Sequence, residues 1–331
     1  MDVKQIKLSA TASPKLSEIT APRTAAITTG CILVPAPGGD YHRALASLHR
    51  QTEPVDCIVA IGEPFGSETA RGGAAARGES VLVRWVAPSV GDNLTTALNQ
   101  ALTKVQTDLV FYLRSDDRWT VDHLAQMRAV YKRNPEVDFV FCDARPEIAS
   151  DEGAIHPADE VDLGYTAVAT YLDLEYSGGP LSCLSMRRSL ANRLMPLVDD
   201  PDWHDQPEVV LALGASLAGA RKCHLRRTLS IVSESVQAAQ NCRAGTRMDF
   251  SYRLRLLRLV GKLARQLRLD SDFVRQVIGL EYGSKAPNDR QTFERYCEYA
   301  RLHQPDGPSR RRAIQTLLAT KHQLGGQIAA G

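Results

Sequence analysis

Residues 108–119 read DLVFYLRSDDRW, and their reading decides the fold. Residues 109–113 are five apolar or aromatic side chains in a row, bounded by Asp108 and Arg114, which predicts a short strand buried on both faces. The polar cluster follows at once. Asp116 and Asp117 stand just past the carboxyl end of that strand, and Thr120 is placed to cap a helix carrying Leu124, Met127 and Val130. In an open α/β sheet that edge is where ligands bind.

Upstream, ITTGCILVP supplies a first core strand ended by Pro35 and Pro37, with Gly38 and Gly39 in the turn. DYHRALASLHRQ sets Tyr41, Ala44, Leu45 and Leu48 on one helical face that Asp40 is placed to cap, and PVDCIVAIG gives a second strand. Together they form the strand, helix, strand unit of a parallel sheet. Residues 63–80 are poor in large apolar side chains and read as loop; VLVRW is a third strand, and a helix spans about residues 94–105. After the opening strand come a helix to about Lys132 and the apolar VDFVFCD. Four strand and helix repeats by residue 143 predict a doubly wound or related α/β architecture, with right-handed crossovers gathering the loops at one edge.

Downstream the pattern changes. ARPEIASDEGAIHPADEVDLG is acidic and turn-rich and is expected to cross the mouth of the site, outside the core. SGGPLSCLSMRRSL reads as a glycine-containing approach to a short strand and a helix; the next stretch is an acidic loop, a helix from about Pro207, and a strand from about Arg221. Residues 251–269 carry six Lys or Arg and no Asp or Glu, interleaved with Leu. Three uses fit: a helix packed on the domain with a solvated basic face, a peripheral membrane contact, or a contact for an anionic acceptor. Nucleic acid is not expected, because no aromatic interleaving or recognised motif accompanies the charge. QTFERYCEYARLH and SRRRAIQTLLATKHQL form a terminal helical pair split by QPDGP.

The chain has 331 residues and a formal net charge of +2, so charge as a whole says little about partners. It contains no run of 18 apolar residues and no signal-type segment at its start, which leads us to expect a cytoplasmic protein, peripheral at most to the inner face of the membrane. Seven cysteines are scattered without a CxxC pair and are expected to be reduced and mostly buried.

Two acidic groups are candidates for chemistry. Asp116 and Asp117 have the composition to bind a divalent cation, to act in acid-base work, or merely to cap a helix and pair with Arg114. The second group holds Asp199, Asp200, Asp202, Asp205 and Glu208, with Trp203 and His204 among them. Glu208 in a first helical turn would be placed to face the mouth as a general base, and Trp203 either stacks on a sugar or covers core.

These stretches resemble the family 2 inverting nucleotide-sugar glycosyltransferases over residues 30–233. CILVPAPGGDYHRALASLHRQTEPVDCIVAIG is similar to that family's first strand, helix and second strand, and NLTTALNQALTKVQTDLVFYLRSDDRW to its helix and acidic metal motif. PEVVLALGASLAGARKCHL resembles the helix that begins with the family's catalytic acidic pair, Glu208 matching the second member and Pro207 standing at the first. The resemblance implies a single GT-A-like nucleotide-sugar-binding α/β domain on a mainly parallel central sheet, covering 25–240, after an irregular segment 1–24 and before a helical C-terminal extension 241–331.

It further implies transfer of a sugar from a nucleoside-diphosphate sugar to an acceptor hydroxyl with inversion, Glu208 being the base, in surface polysaccharide or glycolipid synthesis. Donor binding is expected from Pro35, Glu63, Asn99, Arg114, Asp116 and Asp117, the last orienting the donor sugar or ribose. Asp116 is the expected ligand of Mn2+ or Mg2+, and Gly179, Trp203, His204 and Asp205 lie on the side of the glycan or glycolipid acceptor. A homo-oligomer is a further expectation. The chain departs from the pattern twice: Arg114 stands where the family has an acid, and Glu63 is the nearest acid to the expected Asp after the second strand. Arginine does not ligate a cation but can neutralise phosphate directly. Two alternatives therefore accompany this reading: a catalytically lapsed sugar-binding or assembly protein, and a nucleotidyltransferase-like enzyme.

Overall fold

The computed structural model describes residues 27–36, 41–63, 71–74, 79–89, 92–147, 159–233, 250–285, 289–303 and 307–328. The lead-in 1–24, the turn at Pro37, Gly38 and Gly39, the Asp40 cap and Cys242 lie outside the described residues. The fold is a mixed α/β domain with a mainly parallel central sheet and a helical C-terminal extension, consistent with a GT-A-like fold.

The sheet contains β1 (Thr29–Val34), β2 (Cys57–Ile61), β3 (Arg71–Ala74), β4 (Glu79–Val86), β5 (Leu109–Arg114), β6 (Arg118–Trp119), β7 (Phe139–Pro146), β8 (Asp159–Tyr165), β9 (Leu184–Arg187) and β10 (Arg221–Val232). Their order is β3-β4-β2-β1-β5-β9-β7-β10-β6, with β8 also on β10. β1, β2, β4, β5, β7 and β10 run the same way. β5 is buried on both faces as its composition requires: Leu109, Phe111 and Leu113 enter one apolar cluster, and Val110 and Tyr112 the other. Each such side chain contributes about 1.5–3 kcal/mol of burial.

The helices of the domain are α1 (Tyr41–His49), α2 (Leu94–Lys104), α3 (His123–Arg133), α4 (Ala167–Asp173), α5 (Arg188–Leu194) and α6 (Pro207–Leu217). α1 buries Tyr41, Ala44, Leu45 and Leu48, the stripe read from its spacing. Asn93 caps α2 by accepting from Thr96 N at 2.9 Å. Three local expectations are corrected. α3 starts at His123 behind Asp122, so Thr120 is not its cap; its hydroxyl donates to Asp122 instead. The stretch read as loop contains β3, paired antiparallel to β4. Of the acidic segment expected to cross the mouth, residues 148–158 lie outside the described residues, and residues 159–164 belong to β8, which pairs antiparallel with β10.

The extension comprises α7 (Phe250–Gln266), α8 (Phe273–Gly283), α9 (Arg290–His303) and α10 (Gly307–Ile328). α7 lays Leu256, Leu259, Val260 and Leu263 against Val209, Val210, Leu213 and Trp203 of the domain. α8, α9 and α10 share a second core with α4. Glu281 of α8, fully buried, accepts from Val168 N at 2.6 Å and Ala169 N at 3.1 Å, so the extension caps α4 where Thr166 makes no side-chain cap. No described helix is long and apolar enough to cross a membrane.

Candidate functional site

From β1 the chain steps outward through β2 to β4, then returns to the other side of β1 as β5. The carboxyl ends of β1 and β5 therefore flank the point where strand order reverses, the crevice that open α/β sheets use for ligands. Ser115 ties the two ends together: its N donates to Val34 O at 2.8 Å and its Oγ accepts from Ala36 N at 3.0 Å. Pro35 and the 114–117 turn are thereby neighbours, and Glu63 is exposed beyond the end of β2 on the same edge.

Within that turn the two aspartates differ. Asp117 has no exposed surface; Ser182 Oγ donates to its Oδ2 at 2.6 Å and Ser233 N to its Oδ1 at 3.0 Å. Burial pushes its carboxyl up to about 6, despite the Ser182 hydrogen bond, and repulsion from Asp116 adds to the rise. Asp117, expected to orient donor sugar or ribose, is placed where it latches β5 to the start of β9 and the end of β10. Asp116 is the accessible member, with 20% of its side chain exposed. Arg114 Nε lies 3.3 Å from Asp116 Oδ1, and Ser233 Oγ donates to Oδ2 at 2.9 Å.

Arg43, Arg118 and Glu147 close around Asp116. Arg43 holds Glu147 through two bonds of 2.8 and 3.1 Å, and Arg118 approaches the same carboxylate at 3.7 Å. With Arg114, three guanidinium groups thus converge on a turn offering two carboxylates. A divalent cation does not fit this donor set as arranged. Both oxygens of Asp116 and both of Asp117 are engaged by hydrogen-bond donors, and no group of three His, Cys, Asp or Glu suited to a metal occurs among the described residues. Each of the three guanidinium groups is itself paired with a carboxylate, Arg114 with Asp116 and both Arg43 and Arg118 with Glu147.

Beside this turn lies a cavity of about 820 Å3. Gly178, Gly179 and Pro180 line it, and Ser182, two residues on, is the residue bonded to Asp117, so cavity and turn share one wall. A Cβ on Gly178 would meet Ala212 Cβ at 2.8 Å, which is why glycine stands there. Phe141 stacks on His224 at 4.4 Å, and His224 Nε2 is 2.7 Å from Asp143 Oδ1. Across the cavity Arg295 binds Asp173 and Glu175 at 3.0 and 2.7 Å. Aromatic faces interspersed with carboxylate, imidazole and guanidinium groups suit a hydroxyl-rich ligand.

The remaining expected residues divide. Gly179 lies in the cavity wall. Glu208 sits in the first turn of α6, 8% exposed, and does not line the cavity. Trp203, 1% exposed, packs on Tyr252 and beneath Arg255, so it covers core and has no face for a sugar. His204 pairs with Asp199 at 2.5 Å and Asn93 at 3.2 Å, tying the loop before α6 to the start of α2, while Asp205 is exposed. Asn99 accepts from Leu197 N at 2.7 Å, half-way down α2; its carbonyl oxygen is spent on that loop and not on the donor edge.

Sequence reasoning missed Arg43, Arg118, Ser182 and Ser233; Arg118 adjoins Asp117 in the chain, but the other three are brought to the turn only by the fold. It also missed Lys222, fully buried, whose Nζ donates to Ser177 O and Ala212 O at 2.8 Å each and lies 4.8 Å from the Phe139 ring centre. Burial lowers its ammonium to about 7. Cys31, Cys142, Cys183, Cys223 and Cys297 are free and buried, and Cys57 is half-buried, in line with the expected reduced thiols.

No protein-family model matches the chain, and no curated protein sequence does. Solved structures do match. Staphylococcus aureus TarS residues 1–349 in complex with UDP-GlcNAc has 13% identity and a TM-score of 0.46, covering 91% of this chain and 92% of that one. A longer TarS structure has 14% identity and a TM-score of 0.46, covering 89% of this chain and 55% of that one. The mannosyltransferase PcManGT from Pyrobaculum calidifontis, in complex with GDP-Man and Mn2+, has 16% identity and a TM-score of 0.44, covering 91% and 87%.

Proposed function

We propose that this chain is a glycosyltransferase that moves a sugar from a nucleoside-diphosphate sugar to an acceptor hydroxyl. The observation that carries the reading is the convergence of Arg43, Arg114 and Arg118 on the 114–117 turn, at the strand-order reversal and against a cavity of about 820 Å3. In this reading the guanidinium groups take the donor diphosphate, with Arg114 doing at close range what a cation would do. Glu147 holds Arg43 and Arg118 until the diphosphate competes for them. The cavity receives a glycan or glycolipid acceptor, and Glu208 serves as general base with inversion at the anomeric carbon. A base must come within about 3 Å of the acceptor hydroxyl, so the loop before α6 has to shift to uncover Glu208.

Calorimetric titration with nucleoside-diphosphate sugars, including UDP-GlcNAc and GDP-mannose, in chelator and in manganese, tests the reading. Binding in chelator with little gain from manganese is expected; no binding of any donor in either condition sinks it. Glu208→Gln should keep donor binding and lose turnover, and wild-type turnover in that variant eliminates it as the base. The burial of Glu208 and Asp117 also favours a second reading, a donor-binding protein without transfer activity. Donor binding by the wild-type chain without turnover on any glycan acceptor would select it.

A further inference from the structure

We propose that the solvent face of α7 seats this protein on an anionic lipid surface. The inference does not rest on the transferase reading. α7 buries Leu256, Leu259, Val260 and Leu263, yet its opposite side is not polar. Phe250 is 74% exposed, Leu254 37% and Leu257 47%. Their spacing of four and three residues puts them on one ridge. Arg253 flanks that ridge on one side and Arg258 and Arg265 on the other, all exposed, and Arg268, also exposed, follows just past the helix. No acidic residue occurs between 250 and 269.

The other basic groups of the helix are already engaged. Lys262 pairs with Asp200 at 2.9 Å, and Arg255 lies over the Trp203 and Tyr252 rings. What remains outward is an apolar ridge about 10 Å long, on a helix about 25 Å long, flanked by arginines. A second copy of the same face is a poor occupant, because a two-fold contact would set these arginines against one another. A polyanion such as nucleic acid would pair the charges but leave Phe250, Leu254 and Leu257 unburied. An anionic bilayer surface answers both halves: acyl chains accept the ridge and headgroups pair the arginines. Tyr252, Arg253 and Leu256 of the same helix line the large cavity, so a seated α7 would hold its wall next to the bilayer.

Co-flotation of the full chain with vesicles tests the proposal, using phosphatidylcholine alone and with on the order of 30 mol% phosphatidylserine at about 0.1 M salt. Binding to the mixed vesicles only is expected. Arg258→Gln, Arg265→Gln and Arg268→Gln should each lower partitioning about fivefold. Leu254→Ser with Leu257→Ser should abolish it while the circular dichroism stays that of the parent, since both side chains point away from the core. Phe250→Trp should give a blue-shifted emission component on addition of mixed vesicles and none with neutral ones. No binding to mixed vesicles, equal binding to neutral ones, binding indifferent to the three arginine changes, or retention on heparin without flotation would each overturn it.

Discussion

Arg114 and Glu147 carry the sharpest residue-scale expectations. If the guanidinium cluster holds the donor diphosphate, Arg114→Gln loses a charge-assisted contact and weakens donor binding about tenfold or more. Glu147→Gln should do the opposite, tightening binding because Arg43 and Arg118 lose their resident carboxylate. Calorimetric dissociation constants for the pair check both directions, and a change of the same sign in the two variants would contradict the cluster's role. Asp117 yields a stability prediction. Its carboxyl rises from 3.8 to about 6 on folding, so between those values the folded state binds more protons and stability falls as pH rises. Asp117→Asn should remove that slope in urea midpoints. Asp117→Ala should cost about 1–3 kcal/mol for each of the two donors it strands. Lys222 runs the other way. Its ammonium drops from 10.5 to about 7, so the unfolded state binds more protons across that window and stability climbs with pH. Lys222→Met should flatten the climb.

At the scale of elements, legibility followed burial. β1 and β5 are enclosed on both faces, and a strand in that position must be a continuous apolar run, which a sequence displays openly. β8 is acidic, with Glu160, Val161, Asp162 and Leu163 only partly buried or exposed, because it pairs with β10 alone and an edge strand tolerates charge. That is why DEVDLGY read as loop. The candidate site was half legible for a related reason. The 114–117 turn announces itself as an acidic break after an apolar strand. Its partners Ser182 and Ser233 are 65 and 116 residues away from Asp117, and only packing decides that Trp203, which by sequence either stacks on a sugar or covers core, covers core. The Gly178 approach to α6 gives this scale its test. Gly178→Val would drive side-chain atoms into Ala212, forcing the cavity wall off α6 at a cost of about 1–3 kcal/mol, read as a lowered melting temperature.

For the molecule as a whole, Glu281 joins the extension to the domain. Burial raises its carboxyl above the ordinary range, although Lys285 and the bonds from Tyr296, Val168 and Ala169 favour the charged form. Glu281→Ala should strand the first amides of α4 and cost about 1–3 kcal/mol, with faster hydrogen exchange at Val168 and Ala169 as the local signature. Unchanged exchange there would show that the cap adds nothing. The separation of 113 residues between this carboxylate and the amide of Val168 has a temporal meaning. A chain still emerging from the ribosome would have made α4 long before the group that finishes its end existed, so those two amides record the moment at which synthesis has passed residue 281 and the last helices have closed onto the domain.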